Sequence, residues 1–102
     1  MTTTPIAGPA TQTSGTPGVA VTAIAPNQSG GYIVNPLLAV DQGLGAAEVL
    51  YVNQVTGATL HANGTTVALQ PGQSYTVIPQ TTTPVTVSAP SANHTFTAVQ
   101  CP

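Results

Sequence analysis

The sequence predicts an all-β fold: a small β-sandwich, an Ig-like or jelly-roll-like meander, preceded by an extended N-terminal arm. Two observations predict it. Between residues 48 and 79, short runs rich in Val, Leu, Tyr, Thr and Ile alternate with tight-turn signals, at the roughly ten-residue spacing that is typical of sandwiches and barrels. No segment carries the long 3.6-residue apolar period of a stable helix, so strands are expected throughout the domain.

Residues 1–18 form the predicted arm. Thr, Pro, Gly and Ala dominate this stretch without any period. Frequent Pro removes backbone donors and the small side chains bury little area, so an isolated helix or strand is not expected. Two interpretations stay open: a disordered tail or linker, and an extended arm that orders on a neighbouring subunit. The β-sandwich domain is then predicted to span residues 19–99, and residues 100–102 to be a frayed tail.

The first two predicted strands of the domain are short. Residues 19–25 alternate as a strand and end at the turn-forming residues 26–31. Residues 32–34 make the second strand. It ends at Asn35 and Pro36, because proline lacks a ladder donor and the residue before proline avoids the helical region.

Residues 37–47 are predicted to be a long loop, since Gly43 and Gly45 argue against a stable helix. Its apolar side chains either fill the core or form a docking surface. Isolated apolar residues in loops commonly cover the end of a sandwich, so core filling is the favoured interpretation. The residues concerned are Leu37, Leu38, Val40 and Leu44.

Three turn signals divide residues 48–79 into four predicted strands of a β-meander. Asn63 and Gly64 suit a type I′ hairpin turn, because both residues tolerate positive φ. Residues 70–73, Gln-Pro-Gly-Gln, suit a type II turn, with Pro presetting φ and Gly in the left-handed position.

Two further strands bring the predicted total to about eight. Residues 85–88 alternate with period two, which places Val85 and Val87 on one face. After a turn at residues 90–93, residues 94–99 make the last strand, with Phe96 and Ala98 on a common face.

Charge and size bound the possible partners. The chain has 102 residues, no Lys or Arg, and only Asp41 and Glu48 as acids. Neither nucleic acid nor an anionic membrane is expected as a partner, because both are bound through cationic side chains. Charges, above all Lys, normally guard sheet edges, so a chain without them is expected to have its edges occupied in an assembly. A core of about seventy residues without a disulfide also favours a homo-oligomer or docking.

The conventional acid–base and metal-binding residues form no motif. They lie in separate predicted elements, without the H-x-x-H or H-E-x-x-H spacing of metal sites and without the G-x-S-x-G motif of hydrolases. We therefore predict no catalytic, cofactor-binding or metal-binding residue, no cofactor and no enzymatic activity. The histidines are interpreted as surface or interface residues paired to backbone. The four residues are His61, His94, Asp41 and Glu48.

Three other features are given little functional weight. Cys101 is interpreted as an incidental thiol, with an intermolecular crosslink as the alternative. Asn27, Asn63 and Asn93 begin N-x-S/T glycosylation patterns, but in so Thr-rich a chain such matches arise by chance. The first residues lack the basic segment and apolar core of a signal peptide, and no run approaches the roughly 18 apolar residues of a membrane span. Synthesis in the cytoplasm is expected.

Residues 31–99 contain the runs IVNPLLAVDQG, AEVLYVNQ, ANGTTVALQPGQSYTVIP and NHTFTAV. In these runs the chain resembles small virion structural proteins of tailed bacteriophages, in particular capsid decoration (cement) proteins. The resemblance implies a non-enzymatic protein that binds the outside of an expanded icosahedral head, with its arm reaching across capsomer boundaries. It implies the major capsid protein and neighbouring copies of the chain as partners, and a location on the capsid exterior after synthesis in the host cytoplasm. No catalytic residues come with it.

Two alternatives stay open. One is a tail, neck or head-fibre component, which copy number would distinguish. The other is a carbohydrate-binding β-sandwich, disfavoured because sugar sites usually present aromatic platforms. The chain has no Trp, so Tyr32, Tyr51 or Tyr75 would have to supply that platform. The decoration hypothesis predicts that deleting residues 1–18 leaves the β domain folded and weakens binding to the shell.

Overall fold

The structure, a computed structural model, describes residues 10–60, 64–78 and 82–101 of the chain. Within these residues it contains eight strands and one short helix. They are β1 (Ala10–Thr13), β2 (Val21–Ile24), β3 (Gly30–Val34), α1 (Ala39–Gln42), β4 (Leu50–Asn53), β5 (Thr66–Leu69), β6 (Ser74–Thr76), β7 (Val85–Ser88) and β8 (Thr95–Cys101). The predicted all-β sandwich is confirmed.

Two four-stranded antiparallel sheets form the sandwich, with the strand orders β1-β8-β3-β6 and β2-β7-β4-β5. The chain runs as one long ribbon of strand pairs: β1 with β8, β2 with β7, β3 with β6, and β4 with β5. The ribbon folds on itself, so that β8 also pairs with β3 and β7 with β4. This is the strand order of a jelly roll, the double-sheet architecture made of two Greek keys.

The predicted meander is wrong, because β4 and β5 are the only consecutive strands among the described residues that pair with each other. β5 and β6 flank the turn at residues 70–73 but lie in different sheets. The turn itself is confirmed: Gly72 has φ 87°, and the Gln73 N–H donates to the Gln70 carbonyl at 3.0 Å. Local turn chemistry was therefore readable, whereas strand pairing depends on distant residues.

The strand predicted before the Asn63–Gly64 turn is not present where the structure describes it. Thr59 and Leu60 lie outside any strand, and residues 61–63 lie outside the described residues. Gly64 does have the expected positive φ, at 53°. The β4–β5 pair is joined by the long connection of residues 54–65.

The strands also extend beyond the predicted domain boundaries at both ends. β1 lies within the stretch predicted as an arm, and it pairs with β8 along its whole length. Gln100 and Cys101 belong to β8, opposite Gly31 and Gly30, and do not form a frayed tail. Thr-rich segments fit a pleated sheet once a partner strand is present, which is why composition alone misplaced them. Residues 1–9 and Pro102 lie outside the described residues.

The core lies between the two sheets and is mainly aliphatic, with one aromatic side chain, Phe96. Val85 and Val87 point into it together, as do Phe96 and Ala98, which confirms both predicted faces. Its members are Ala23, Ile24, Ile33, Leu50, Val52, Leu69, Val77, Val85, Val87, Ala89, Phe96 and Ala98.

The connections gather at the two ends of the sandwich. β1 and β3 finish where β6 and β8 begin, so the connections 14–20, 35–49, 70–73 and 89–94 share one end, which we call the loop end. The chain enters β1 and leaves β8 at the opposite end. This placement brings the β3–β4 connection beside the start of β8.

The β3–β4 connection contains α1, a single turn that the glycine argument did not predict. Gly43 ends it with φ 72°, and its N–H donates to the Val40 carbonyl at 3.2 Å. The glycine therefore terminates a short helix in the left-handed conformation that favours Gly. No helix in the described ranges is long and apolar enough to cross a membrane.

Candidate functional site

The β3–β4 connection exposes a cluster of apolar side chains at the loop end. Leu37 is 66% exposed, Leu38 57% and Val40 78%. The prediction that the apolar residues of this connection fill the core is therefore wrong for these three, and only Leu44 is partly buried. We call Leu37, Leu38 and Val40 the apolar loop surface.

The buried position of the helix in this connection is occupied by an amide. Gln42, at the end of α1, is fully buried. Its Nε2 donates to the Pro36 carbonyl at 2.7 Å and to Asn35 Oδ1 at 3.1 Å, and its Oε1 accepts from the Glu48 N–H at 2.8 Å. One side chain thus closes the connection on itself between residues 36 and 48.

Asn35 ties the same connection to the rest of the sandwich. Its Nδ2 donates to the carbonyls of Glu48 and Leu69, each at 2.9 Å. Its Oδ1 lies 2.8 Å from His94 Nε2. The fully buried Asn35 side chain therefore links the β3–β4 connection, the end of β5 and the start of β8.

The β5–β6 turn packs against the start of the β3–β4 connection. The Asn35 N–H donates to the Gln73 carbonyl at 3.0 Å, and the Gly72 N–H donates to the Asn35 carbonyl at 2.8 Å. A Cβ at Gly72 would lie 3.3 Å from Leu37 Cδ1. Leu37 therefore rests on the glycine of this turn, and its position is fixed on one side.

His94 is fully buried in this network, so its predicted place at a surface or interface is wrong. Asn35 Nδ2 donates both of its hydrogens to carbonyls, which fixes the orientation of the amide and places Oδ1 toward His94. An amide oxygen can only accept a hydrogen bond, so His94 Nε2 must carry the ring proton. Nδ1 is buried and has no hydrogen-bond partner within the described part of the chain. Burial lowers the pKa of His94, and the charge of Glu48 offsets part of that lowering.

The two acids of the chain both belong to the β3–β4 connection. Glu48 is partly buried and accepts a hydrogen bond from Ser91 Oγ. Asp41 is exposed in α1, next to Val40 in the chain. The structure thus brings Glu48 and His94 into one network and leaves Asp41 on the surface of the same connection. His61 lies outside the described residues.

This arrangement holds a loop in place and does not match the geometry of a hydrolytic triad. The ring proton of His94 goes to an amide oxygen, and Ser91 donates directly to a carboxylate. A triad requires a hydroxyl hydrogen-bonded to a ring nitrogen that can accept its proton. Over residues 10–60, 64–78 and 82–101, no group of three or more His, Cys, Asp or Glu side chains could hold a metal ion.

The tyrosines considered for a sugar platform are dispersed. Tyr32 is exposed on the outer face of β3, and Tyr51 lies on β4 of the other sheet. Tyr75 donates from its hydroxyl to Gln54 Oε1 at 2.5 Å, and burial raises the pKa of Tyr75. Cys101 is partly buried in β8, opposite Gly30.

The two described asparagines of the glycosylation patterns lie in turns. Asn27 and Asn93 are exposed and have positive φ, at 64° and 56°. Asn63 lies outside the described residues. These positions are typical of Asn in left-handed turn conformations, which accounts for both residues structurally.

The sheet edges form a second surface of interest. The edge strands are β1 and β6 in one sheet and β2 and β5 in the other, and none of the four contains a charged residue. Side-chain amides bond to backbone near two of them. Gln12 Nε2 donates to the Ala23 carbonyl at 3.0 Å, and Gln54 bonds to both the N–H and the carbonyl of Ile78, at 3.1 Å and 2.8 Å.

No protein-family model, curated protein or solved structure matches this chain. The residues that build the loop end were also missed in the sequence, because amides such as Asn35 and Gln42 carry no spacing motif.

Proposed function

We propose that this chain is a non-enzymatic structural protein of a virus particle, a decoration (cement) protein that binds the outside of a bacteriophage capsid and stabilises it. The observation that carries a binding role is the apolar loop surface. Leu37, Leu38 and Val40 supply three of the eight exposed large hydrophobic side chains of the described residues within four chain positions. Clustered exposed apolar residues mark interaction sites, whereas single ones are ordinary.

The buried network beneath this surface supports the same role. Burying Asn35, Gln42 and His94 costs solvation free energy, which their hydrogen bonds must offset. Well-packed apolar side chains often stabilise such a position equally well. The network instead specifies one conformation of the connection. A surface already held in its binding conformation loses less entropy on association.

Two features favour an assembled shell as the setting. The edge strands carry no charge and the chain has no Lys or Arg, although sheet edges of free monomers are normally guarded by charges. Such edges suit main-chain pairing with a partner strand. The jelly roll is shared by viral capsid and lectin domains, so the fold is compatible with the proposal without deciding it.

The resemblance of residues 31–99 to decoration proteins directs the proposal to the capsid exterior. The partners would be the major capsid protein and neighbouring copies of the chain. A protein that binds only the mature shell stabilises that shell by mass action. Many identical contacts on a lattice supply avidity even where each contact is weak.

The experiment that tests the proposal is the copy number per particle in purified virions, by intact mass and calibrated gel densitometry. A simple whole-number ratio to the major capsid protein is expected. A handful of copies would move the chain to the tail or neck, and absence from particles would refute a virion role. Intact mass is required because a chain without Lys or Arg has no tryptic site.

A further inference from the structure

We infer that the loop end is the face that meets the partner, and that it fits a protein surface with an apolar cleft bordered by Lys or Arg side chains. This inference rests on the proposed function for the identity of the partner. Two properties of the β3–β4 connection carry it: the exposed aliphatic cluster and the charge beside it.

The apolar loop surface fits a cleft on the partner. Leu37, Leu38 and Val40 project from adjacent positions of one connection, and more than half of each side chain is exposed. Leu37 is supported by Gly72 from below, and Gln42 holds the helix beside it. Exposed aliphatic side chains that are held in place contribute to binding by burying apolar area against a partner, and a cleft buries more of that area than a flat surface.

The charge part calls for a basic rim. The formal charge of −2 comes from Asp41 and Glu48, both in this connection. Asp41 is exposed beside Val40, and the chain has no Lys or Arg that could pair with it. Docking through Val40 would take the Asp41 carboxylate partly out of water, which is unfavourable unless the partner supplies an opposite charge.

The same charges argue against a second copy as the occupant. Two loop ends in a symmetric contact would bring equivalent surfaces together, and therefore the two acids of one copy close to the two acids of the other. Like charges without an intervening Lys or Arg disfavour that pairing. Contacts between copies would instead use other surfaces, such as the uncharged sheet edges.

A zero-length crosslink tests the inference on native particles. A carbodiimide condenses a carboxylate with an amine to form an amide bond, with loss of water. Because the chain has no Lys, an amide formed at Asp41 must use either a terminal α-amino group or a Lys of another protein. We expect Asp41 to be joined to a partner Lys, identified by fragment mass, and the product to be lost in Asp41→Asn.

Binding of variants to stripped shells supplies the second readout. Val40→Ser and Leu38→Ser are each expected to weaken binding by about tenfold or more, the effect of losing the burial of one aliphatic side chain. Val55→Ser is the matched control, since Val55 is 58% exposed in the connection after β4, at the end of the sandwich opposite the loop end, and its variant should bind like the parent. Added salt should weaken shell binding of the parent chain more than shell binding of the Asp41→Asn variant.

The outcomes separate the two proposals. An Asp41 crosslink to the terminal α-amino group of another copy would overturn the inference in favour of self-association. Equal binding of the Val40→Ser and Val55→Ser variants would also overturn it. If particles lack the chain, the crosslink is made in extracts of the cells that produce it. A Lys crosslink there, lost in Val40→Ser as well as in Asp41→Asn, would retain the docking face and refute the virion role.

Discussion

Gly31 lies in β3 where the backbone of β8 leaves no room for a side chain. Its φ is 151°, a conformation that side chains rarely adopt, and a Cβ at this position would lie 2.2 Å from the Val99 carbonyl oxygen. The neighbouring Gly30 has nothing within 4 Å of an added Cβ. The two adjacent glycines therefore have different structural roles, although the sequence does not distinguish them.

Gly31→Ala is expected to lower the free energy of unfolding by about 2–4 kcal/mol, because backbone strain and overpacking add. Gly30→Ala is the control and should change it by less than about 1 kcal/mol. Urea unfolding of both variants measures the difference. Equal losses in the two variants would contradict the close approach of β3 and β8.

His94 makes the stability of the fold depend on pH. Burial lowers the pKa of the folded state, so over a window below about pH 6.5 the unfolded chain binds a proton that the folded chain does not. The free energy of unfolding is therefore expected to fall as the pH decreases through that window. Unfolding titrations at a series of pH values measure the slope.

His94→Gln should flatten this pH dependence, since an amide can still donate to Asn35 Oδ1 but does not titrate. His61→Gln, measured in parallel, separates the contribution of the other histidine from that of His94. An unchanged slope in His94→Gln would show that the buried ring does not govern the pH dependence.

At the scale of elements, the β3–β4 connection shows what sequence patterns miss. Its apolar residues resembled core filling, yet the inward position belongs to Gln42, whose amide is satisfied only by partners from residues 35, 36 and 48. An apolar pattern records which side chains avoid water in general. It does not show that a hydrogen-bonded amide can take the buried position and leave the apolar side chains exposed.

Gln42→Ala is expected to cost about 1–3 kcal/mol of unfolding free energy, because the Glu48 N–H and Asn35 Oδ1 lose a buried partner. It should also speed amide hydrogen exchange at residues 41–44, whose N–H groups bond within the connection. Gln70→Ala, at an exposed position of the β5–β6 turn, is the control. Unchanged exchange in Gln42→Ala would contradict the role of the network.

Elements defined by local chemistry were predicted well. The type II turn at residues 70–73 and the inward pair Val85 and Val87 follow from φ preferences and a two-residue period, which neighbouring residues determine. β1 was missed because its Ala-Thr-Gln-Thr sequence becomes a strand only against β8. Edge strands of this kind carry little signal of their own.

At the scale of the whole molecule, the fold class was predictable and the topology was not. Strand number and turn spacing indicate a sandwich, but they do not say that the first strand pairs with the last. In a jelly roll most pairings join residues far apart in the chain. The residues of the loop end come together for the same reason, since Asn35, Gln42 and His94 meet only after the ribbon folds.

The topology changes the expected result of truncation. Deleting residues 1–18 would remove β1, the Gln12 bond to Ala23 and the Ser14 Oγ that accepts from the His94 N–H at 3.0 Å. We expect it to destabilise the fold by about 3 kcal/mol or more, given these lost hydrogen bonds. Deleting residues 1–9 keeps β1 and these hydrogen bonds, and is the matched comparison.

Thermal unfolding and shell binding of both deletions measure these effects. If the N-terminal residues act as an arm on a neighbouring subunit, the deletion of residues 1–9 weakens shell binding while leaving the melting temperature unchanged. A deletion of residues 1–18 that melts like the full chain would contradict the structural role of β1.

The ribbon topology also determines the mechanical stability of the fold. The chain enters β1 and leaves β8 at the same end of the sandwich, and these two strands lie side by side. Tension applied between Ala10 and Cys101 therefore loads the hydrogen bonds of that pair one at a time and peels the strands apart. Tension that enters through the loop end acts on connections braced by Asn35 and Gln42. We therefore expect a lower unfolding force when the chain is pulled at residues 10 and 101 than when it is pulled at connections of the loop end.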